Sequence, residues 1–260
     1  MITNRVIGFV CLLSLFVVQP AVAAEYLPED WQFTLVPYLW ALSVDGDMTI
    51  KGSQYEVDMG FDDVWDHLNV AVMAHAEARK GRVGVFVSPF FSRLEEETDL
   101  ADITNDLYMV SFGASYRLGP WNLTRGAESS SKTLVVDLFA GGRYTYVNFE
   151  LDGNLLGNHD DKGHKDWLDP IIGLRSFLVL SPKWTLNSSG DVGGFGVGSD
   201  FAWHASAAVG YKLKFLGDDD AQIFAGYRIL SQDYKTGSGD NEFAWDIDLK
   251  GPTIGLAYHF

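Results

Sequence analysis

Apolar and polar residues alternate one by one along most of this chain, in runs of about 12 to 18 residues. In "NVAVMAHAEARKG", Val70, Val72, Ala74, Ala76 and Ala78 share one side, and Asn69, Met73, His75, Glu77 and Arg79 the other. "TLVVDLFAGGRYTYV" sets Leu134, Val136, Leu138, Ala140, Tyr144 and Tyr146 against Asp137, Gly141, Arg143 and Thr145. "DWLDPIIGLRSFLVL" sets Leu168, Ile172, Leu174, Leu178 and Leu180 against Asp169, Gly173, Arg175 and Phe177. "FAWHASAAVGYKLKF" sets Trp203, Ala205, Val209, Tyr211, Leu213 and Phe215 against His204, Ser206, Gly210, Lys212 and Lys214. Side chains that repeat every second residue belong to strands, and helical spacing fits none of these runs. The pattern predicts strands near 31–43, 69–80, 83–96, 105–118, 133–151, 167–181, 184–194, 201–216, 221–235 and 245–260.

Such strands also occur in soluble sandwiches, where the apolar face is the core. Three features point to the inverse arrangement. The runs exceed the ~5–6 residues of soluble strands, whereas a tilted strand needs ~9–11 to cross lipid. The polar face mixes glycine and serine with both signs of charge, which suits a crowded interior better than a solvated surface. Trp167, Trp184, Trp203, Phe215, Trp245 and Tyr258 sit near strand ends, where membrane girdles are expected. The fold class that follows is all-β: a transmembrane antiparallel up-and-down β-barrel with a polar lumen and about 10 strands, an even number. "KGR" (80–82), "SPK" (181–183) and "GDDD" (217–220) are expected as tight turns at one end, and 119–132 as a longer connection there. Residues 45–68 are expected as an outer loop carrying a short hairpin arm and a helical turn near "FDDVWDHL"; if "MTIKGSQYEVDM" entered the wall with another segment, the count would be 12.

The first residues, "MITNRVIGFVCLLSLFVVQPAVAAEYLPEDW", place Arg5 before an apolar run from Val6 to Val18, followed by Pro20 and small residues. That is the layout of a secretory signal peptide over residues 1–23, cleaved after 23 or 24, with a single barrel domain over 24–260. The run is shorter than the ~20 residues of a spanning helix. Cys11, the sole cysteine, lies inside it, so the exported chain is expected to hold together without disulfides. The formal net charge of -16 argues against nucleic acid as a partner.

The chain ends "GPTIGLAYHF", with Ile254, Leu256, Tyr258 and Phe260 alternating up to the last residue, where chains are usually polar and frayed. In this it resembles the small outer-membrane β-barrels of Gram-negative bacteria, whose last strand ends in an aromatic residue, usually Phe, that the barrel-assembly machinery reads. The segments "PYLW" (37–40), "HAEARKGR" (75–82), "GDVGGFGVGSDFAW" (190–203) and "GYR" (226–228) also resemble those of a poorly characterised family of such barrels. The resemblance covers essentially the whole exported chain. It implies the fold, an integral place in the outer membrane among its lipids and lipopolysaccharide, and the assembly machinery as a partner. It implies no activity.

By parity, the polar side chains that face the lumen are His75, Glu77, Arg79, Asp137, Arg143, Asp169, Arg175, His204, Lys212 and Arg228. Bulky inward residues, Trp40, Phe86, Phe90, Phe139 and Phe177, predict partial filling; barrels of ~8 strands are filled and those of ~16 conduct. The expected function is therefore a structural or interaction role with a narrow or plugged lumen. The alternative is a passive, porin-like channel for small solutes or ions. A third class is a lipid A-modifying enzyme, because some barrels resembling this one are deacylases, palmitoyl transferases or proteases. His75 and Glu77 share a face, as do His204 and Ser206. A nucleophile and its base need hydrogen-bond contact and an orienting group, which the strand pattern does not bring together. No catalytic residue and no cofactor are therefore expected. Nor is a metal site expected, since His75, Glu77 and His204 form no close ligand cluster.

Acidic runs at 45–66 and 94–106 fall in expected outer segments. They are candidates for divalent cations that bridge to lipopolysaccharide, weighed against a solvated charged surface. "GDVGGFGVGSD" reads as a glycine hairpin rather than a phosphate loop, since no helical pattern follows it.

Overall fold

The structure, a computed structural model, describes residues 26–66, 68–97, 101–123, 132–153, 161–215 and 218–260. The expected signal peptide, the turn residue 217, most of the 119–132 connection and the side chains of 94–105 lie outside the described residues. The strands in chain order are β1 (Gln32–Trp40), β2 (Ser43–Ile50), β3 (Ser53–Met59), β4 (Leu68–Lys80), β5 (Val83–Glu97), β6 (Ala101–Asn122) and β7 (Thr133–Gly153). There follow β8 (Asp161–Val179), β9 (Trp184–Gly193), β10 (Phe201–Phe215), β11 (Asp218–Thr236) and β12 (Phe243–His259). One short helix, α1 (Phe61–Asp66), links β3 to β4.

Ten strands, β1 and β4 to β12, pair antiparallel in chain order, and β12 returns to β1 to close a barrel. Closure runs through Thr34↔His259, Leu35↔Tyr258, Tyr38↔Gly255, Leu39↔Ile254 and Trp40↔Thr253. The aromatic chain end belongs to this seam. Phe260 exchanges both backbone hydrogen bonds with Phe33 (2.8 and 2.9 Å), and the two rings stack at 6.0 Å. The "MTIKGSQYEVDM" segment stays out of the closed wall. It forms the β2–β3 hairpin, and β2 pairs with β12 from Ser43↔Lys250 to Ile50↔Phe243. β1 and β2 thus follow one another along β12 in a single register, bridged by the Ala41 N–H on the Pro252 carbonyl (2.9 Å).

At the end that holds Gln32 and His259, β4 and β5 are joined through Gly81 and Arg82, with Gly81 at φ 57°, and β8 and β9 through 181–183, where Ser181 Oγ accepts from the Trp184 N–H at 3.1 Å. We call this the turn end and its opposite the loop end. The "GDDD" turn is shorter than expected, because β11 already begins at Asp218, paired with Phe215.

Exposure decides which face is which. Val85 (52%) and Leu174 (53%) stand on the outer surface, whereas Arg143 (2%) and Asp169 (0%) are buried inside. Two of the aromatic residues expected in a girdle are not there. Trp167 and Trp245 point inward and belong to the apolar cluster at the loop end, where Trp167 stacks flat on Tyr234 at 4.3 Å. Their positions near strand ends suggested a girdle, but strand parity aligns Trp167 with Asp169 and Arg175. Trp184, by contrast, is exposed and meets Tyr211 edge-on at 4.9 Å.

Candidate functional site

The lumen has two tiers. Toward the turn end it is polar, around a cavity of about 620 Å³. Toward the loop end it is apolar, built by Trp40, Phe90, Trp167, Leu230, Trp245 and Ile247 with their neighbours.

Alternation along β4 turns His75, Glu77 and Arg79 into the polar tier, and the barrel's curvature brings distant strands to them. Arg79 Nη2 donates to Glu77 Oε1 (2.5 Å), Asp137 Oδ2 (2.8 Å) and Ser115 Oγ (2.9 Å). Arg117 clamps Asp137 through Nε (2.7 Å) and Nη2 (2.9 Å), the paired geometry that suits guanidinium and carboxylate. Arg175 Nη1 reaches the other oxygen of Glu77 at 2.6 Å, while its guanidinium lies over the rings of Phe86 (4.8 Å) and Phe139 (5.1 Å). A second group centres on Asp191, which accepts from Arg143 Nη2 (2.8 Å) and His204 Nδ1 (3.0 Å). Asp169 stands apart from these cations' hydrogen bonds. It accepts from the Ser199 N–H (2.6 Å), Ser199 Oγ (2.8 Å) and Gln232 Nε2 (3.2 Å), and so pins the 194–200 connection to the barrel interior. Arg228 donates to Tyr38 Oη (2.5 Å) and lies 4.6 Å over the Trp40 ring. Lys212 lines the cavity.

Two charged members of this network, Arg117 and Asp191, are missing from the sequence expectation. Parity carried the signal for both: Arg117 shares the face of Ser111 and Ser115, and Asp191 that of Ser189. Asp191 was hidden by its place in a glycine-rich stretch that reads as a hairpin.

One constellation invites a catalytic reading. His75 Nδ1 lies 2.7 Å from Ser88 Oγ, and its Nε2 lies 3.8 Å from Glu77 Oε2. Arg175 Nη1 stands 3.4 Å from the same Nε2. A guanidinium only donates, so the tautomer that fits this contact carries the ring proton on Nδ1, which then donates to Ser88. In that tautomer His75 cannot take the serine proton. Glu77 also has both oxygens engaged by arginines, and 3.8 Å is too long for it to orient the ring. Among the described residues no three His, Cys, Asp or Glu side chains converge as metal ligands.

Three guanidinium nitrogens, Arg143 Nη1, Arg175 Nη2 and Arg228 Nε, are buried with no hydrogen-bond partner among the described residues. The cavity lining holds six Lys and Arg side chains against three carboxylates. The polar tier is thus electropositive inside a chain of net charge -16.

A closed antiparallel barrel with an apolar exterior and a charged interior defines an outer-membrane type of β-barrel. A solved structure shows a similar architecture. The chain is similar to the outer-membrane protease OmpT of Escherichia coli, with a TM-score of 0.55 at 12% identity over 90% of this chain and 98% of that one. Weaker likeness is found to the attachment invasion locus protein Ail of Yersinia pestis (TM-score 0.36, 14% identity, 89% and 99% covered). It extends to the Neisserial surface protein NspA (TM-score 0.36, 10% identity, 89% and 100% covered). At these identities the likeness concerns the fold. No protein-family profile matches the sequence, and no curated protein does.

Proposed function

We propose that this is a non-catalytic, non-conducting barrel of the outer membrane, with a structural or interaction role exercised at its loop end. The observation that carries this reading is the ion pair between Arg175 of β8 and Glu77 of β4, strands on different parts of the wall. With Arg79, Asp137 and Arg117 it ties side chains together across the polar tier, and the apolar tier stands beyond it. Ions would have to break buried pairs and then cross a layer of tryptophan and leucine.

The loop end offers a surface of its own. Asp47 stands between Glu56 and Asp246 in the β3–β2–β12 ladder, and Asp45 between Asp58 and Asp248. Like charges placed directly opposite one another are destabilising. Divalent cations bridging to lipopolysaccharide would relieve this, since clustered carboxylates suit hard cations.

Conductance of the purified protein in a planar bilayer tests the closed lumen. The expected trace stays near background, and removing both Trp40 and Phe90 side chains raises it. A large, stable conductance in the unmodified protein overturns the reading in favour of a passive channel.

A further inference from the structure

The apolar tier contains a second cavity, of about 600 Å³, that the closed-lumen reading does not use. Trp40, Met73 and Trp245 line it from the lumen, and Met48, Val57 and Val64 from the β2–β3 hairpin and α1. Leu39, Ala225 and Ile254 also line it, and Leu39 and Ile254 are exposed apolar residues on the barrel's outer face. The cavity therefore passes through the wall.

The strand pairing explains the opening. The β1–β4 ladder ends at Pro37↔Ala74, where proline has no N–H to give. The β12 side of β1 stays closed, its pairing running on into β2 in one register from Trp40↔Thr253, through the Ala41 N–H on the Pro252 carbonyl (2.9 Å), to Ser43↔Lys250. On the β4 side the Trp40 N–H donates to Met73 Sδ at 3.2 Å, a sulfur where a strand would offer a carbonyl. Residues 68–73 of β4 consequently pair with β5 alone.

At its floor the apolar cavity meets the polar one. Thr253 lines both, and Trp40 lies against Arg228. Trp40 Nε1 and Arg228 Nε are both buried there without an acceptor among the described residues, although buried donors are nearly always paired. A cavity of this size is in the ordinary range for a small-molecule site. An apolar chamber open to the bilayer above an electropositive floor with two unanswered donors fits one class of molecule. We propose that it binds a long-chain aliphatic carboxylate, taken up sideways from the bilayer between Leu39 of β1 and the edge of β4 at residues 71–73. The chain lies in the apolar cavity and the carboxylate accepts from Trp40 Nε1 and Arg228 Nε.

Tryptophan fluorescence of the refolded full chain in detergent tests this, because Trp40 and Trp245 would touch the ligand. Brominated stearate, brominated stearyl alcohol and a brominated phosphatidylcholine serve as quenching probes. Stearate is expected to quench saturably, and the alcohol to bind about tenfold more weakly, the difference a charge-assisted hydrogen bond makes. Ala71→Phe, which fills the cavity, should abolish saturable quenching. Arg228→Gln should bring stearate down to the level of the alcohol. Heat-modifiable gel mobility verifies that each variant is folded, and if Ala71→Phe does not fold, Arg228→Gln decides alone. Equal binding of acid and alcohol overturns the carboxylate assignment. Saturable quenching by the phospholipid alone assigns the cavity to a membrane lipid instead. Non-saturating quenching by all three, unchanged in Arg228→Gln, overturns the site.

Discussion

Arg175 Nη1 meets Glu77 Oε2 at 2.6 Å although the residues are 98 positions apart and lie on strands that share no ladder. Arg79 holds the other oxygen, so a single carboxylate joins two guanidinium groups inside the barrel. Removing one partner of a buried pair leaves the others uncompensated, at a cost of ~3–5 kcal/mol. Glu77→Ala should therefore lower the unfolding free energy of the refolded barrel by about that amount in a urea titration. A loss too small to measure would mean that Arg79 and Arg175 find other partners and that the lumen network does not depend on Glu77.

Leu138 stands on the outer face of β7, and Asp137 beside it is clamped by Arg117 inside. An arginine facing lipid near the bilayer midplane costs ~2–4 kcal/mol. Leu138→Arg should reduce the heat-modifiable, assembled species recovered from outer membranes. Normal assembly of this variant would place β7 in the wrong register.

Gly113 and Gly141 face each other across β6 and β7. A Cβ built on Gly141 would lie 1.9 Å from the Phe112 carbonyl oxygen and 2.6 Å from Gly113 Cα, both rigid backbone atoms. The two backbones approach so closely there that inward side chains have no room. Gly141→Ala is expected to destabilise by ~1–3 kcal/mol, the range for overpacked sites. Thermal melting followed by circular dichroism measures it, and an unchanged midpoint would contradict the close approach.

Deleting Phe260 removes both backbone hydrogen bonds and the ring contact with Phe33 at the closing seam. Assembled barrel should fall in the cell, while export across the inner membrane continues. Recovery of the intact protein as a soluble periplasmic species would reject the barrel's location altogether.

The acidic rows of the hairpin supply a last test. Magnesium should raise the unfolding temperature of the purified protein and a chelator should lower it. Asp47→Asn, which removes the middle carboxylate between Glu56 and Asp246, should flatten that response. An identical response in the variant would leave the hairpin a solvated surface.

Much of this was legible in local pattern. A strand sends successive side chains to opposite faces, so Leu138 and Arg143, or Leu174 and Arg175, are assigned to lipid and lumen by parity without knowledge of their neighbours. Turn chemistry located the junctions at 80–82 and 181–183. The hairpin and helical turn within 45–68 were legible too, because a glycine-containing reversal and a short acidic helix are local events. Where strand-end position was trusted over parity, as for Trp167 and Trp245, the assignment failed.

Local pattern determined which face each residue occupies. Which residues then meet was decided by closure. Glu77 takes Arg175, Asp137 is held by Arg79 and Arg117, and Arg143 chooses Asp191 over Asp169, its partner across β7 and β8. These choices depend on the stagger accumulated around ten strands and on which walls come opposite, quantities spread over the whole barrel. The split of the lumen into polar and apolar tiers, and the opening between β1 and β4, arise the same way. β1 keeps β12 beside it but parts from β4 after Pro37, and no window of sequence a few residues wide contains both β1 and β4.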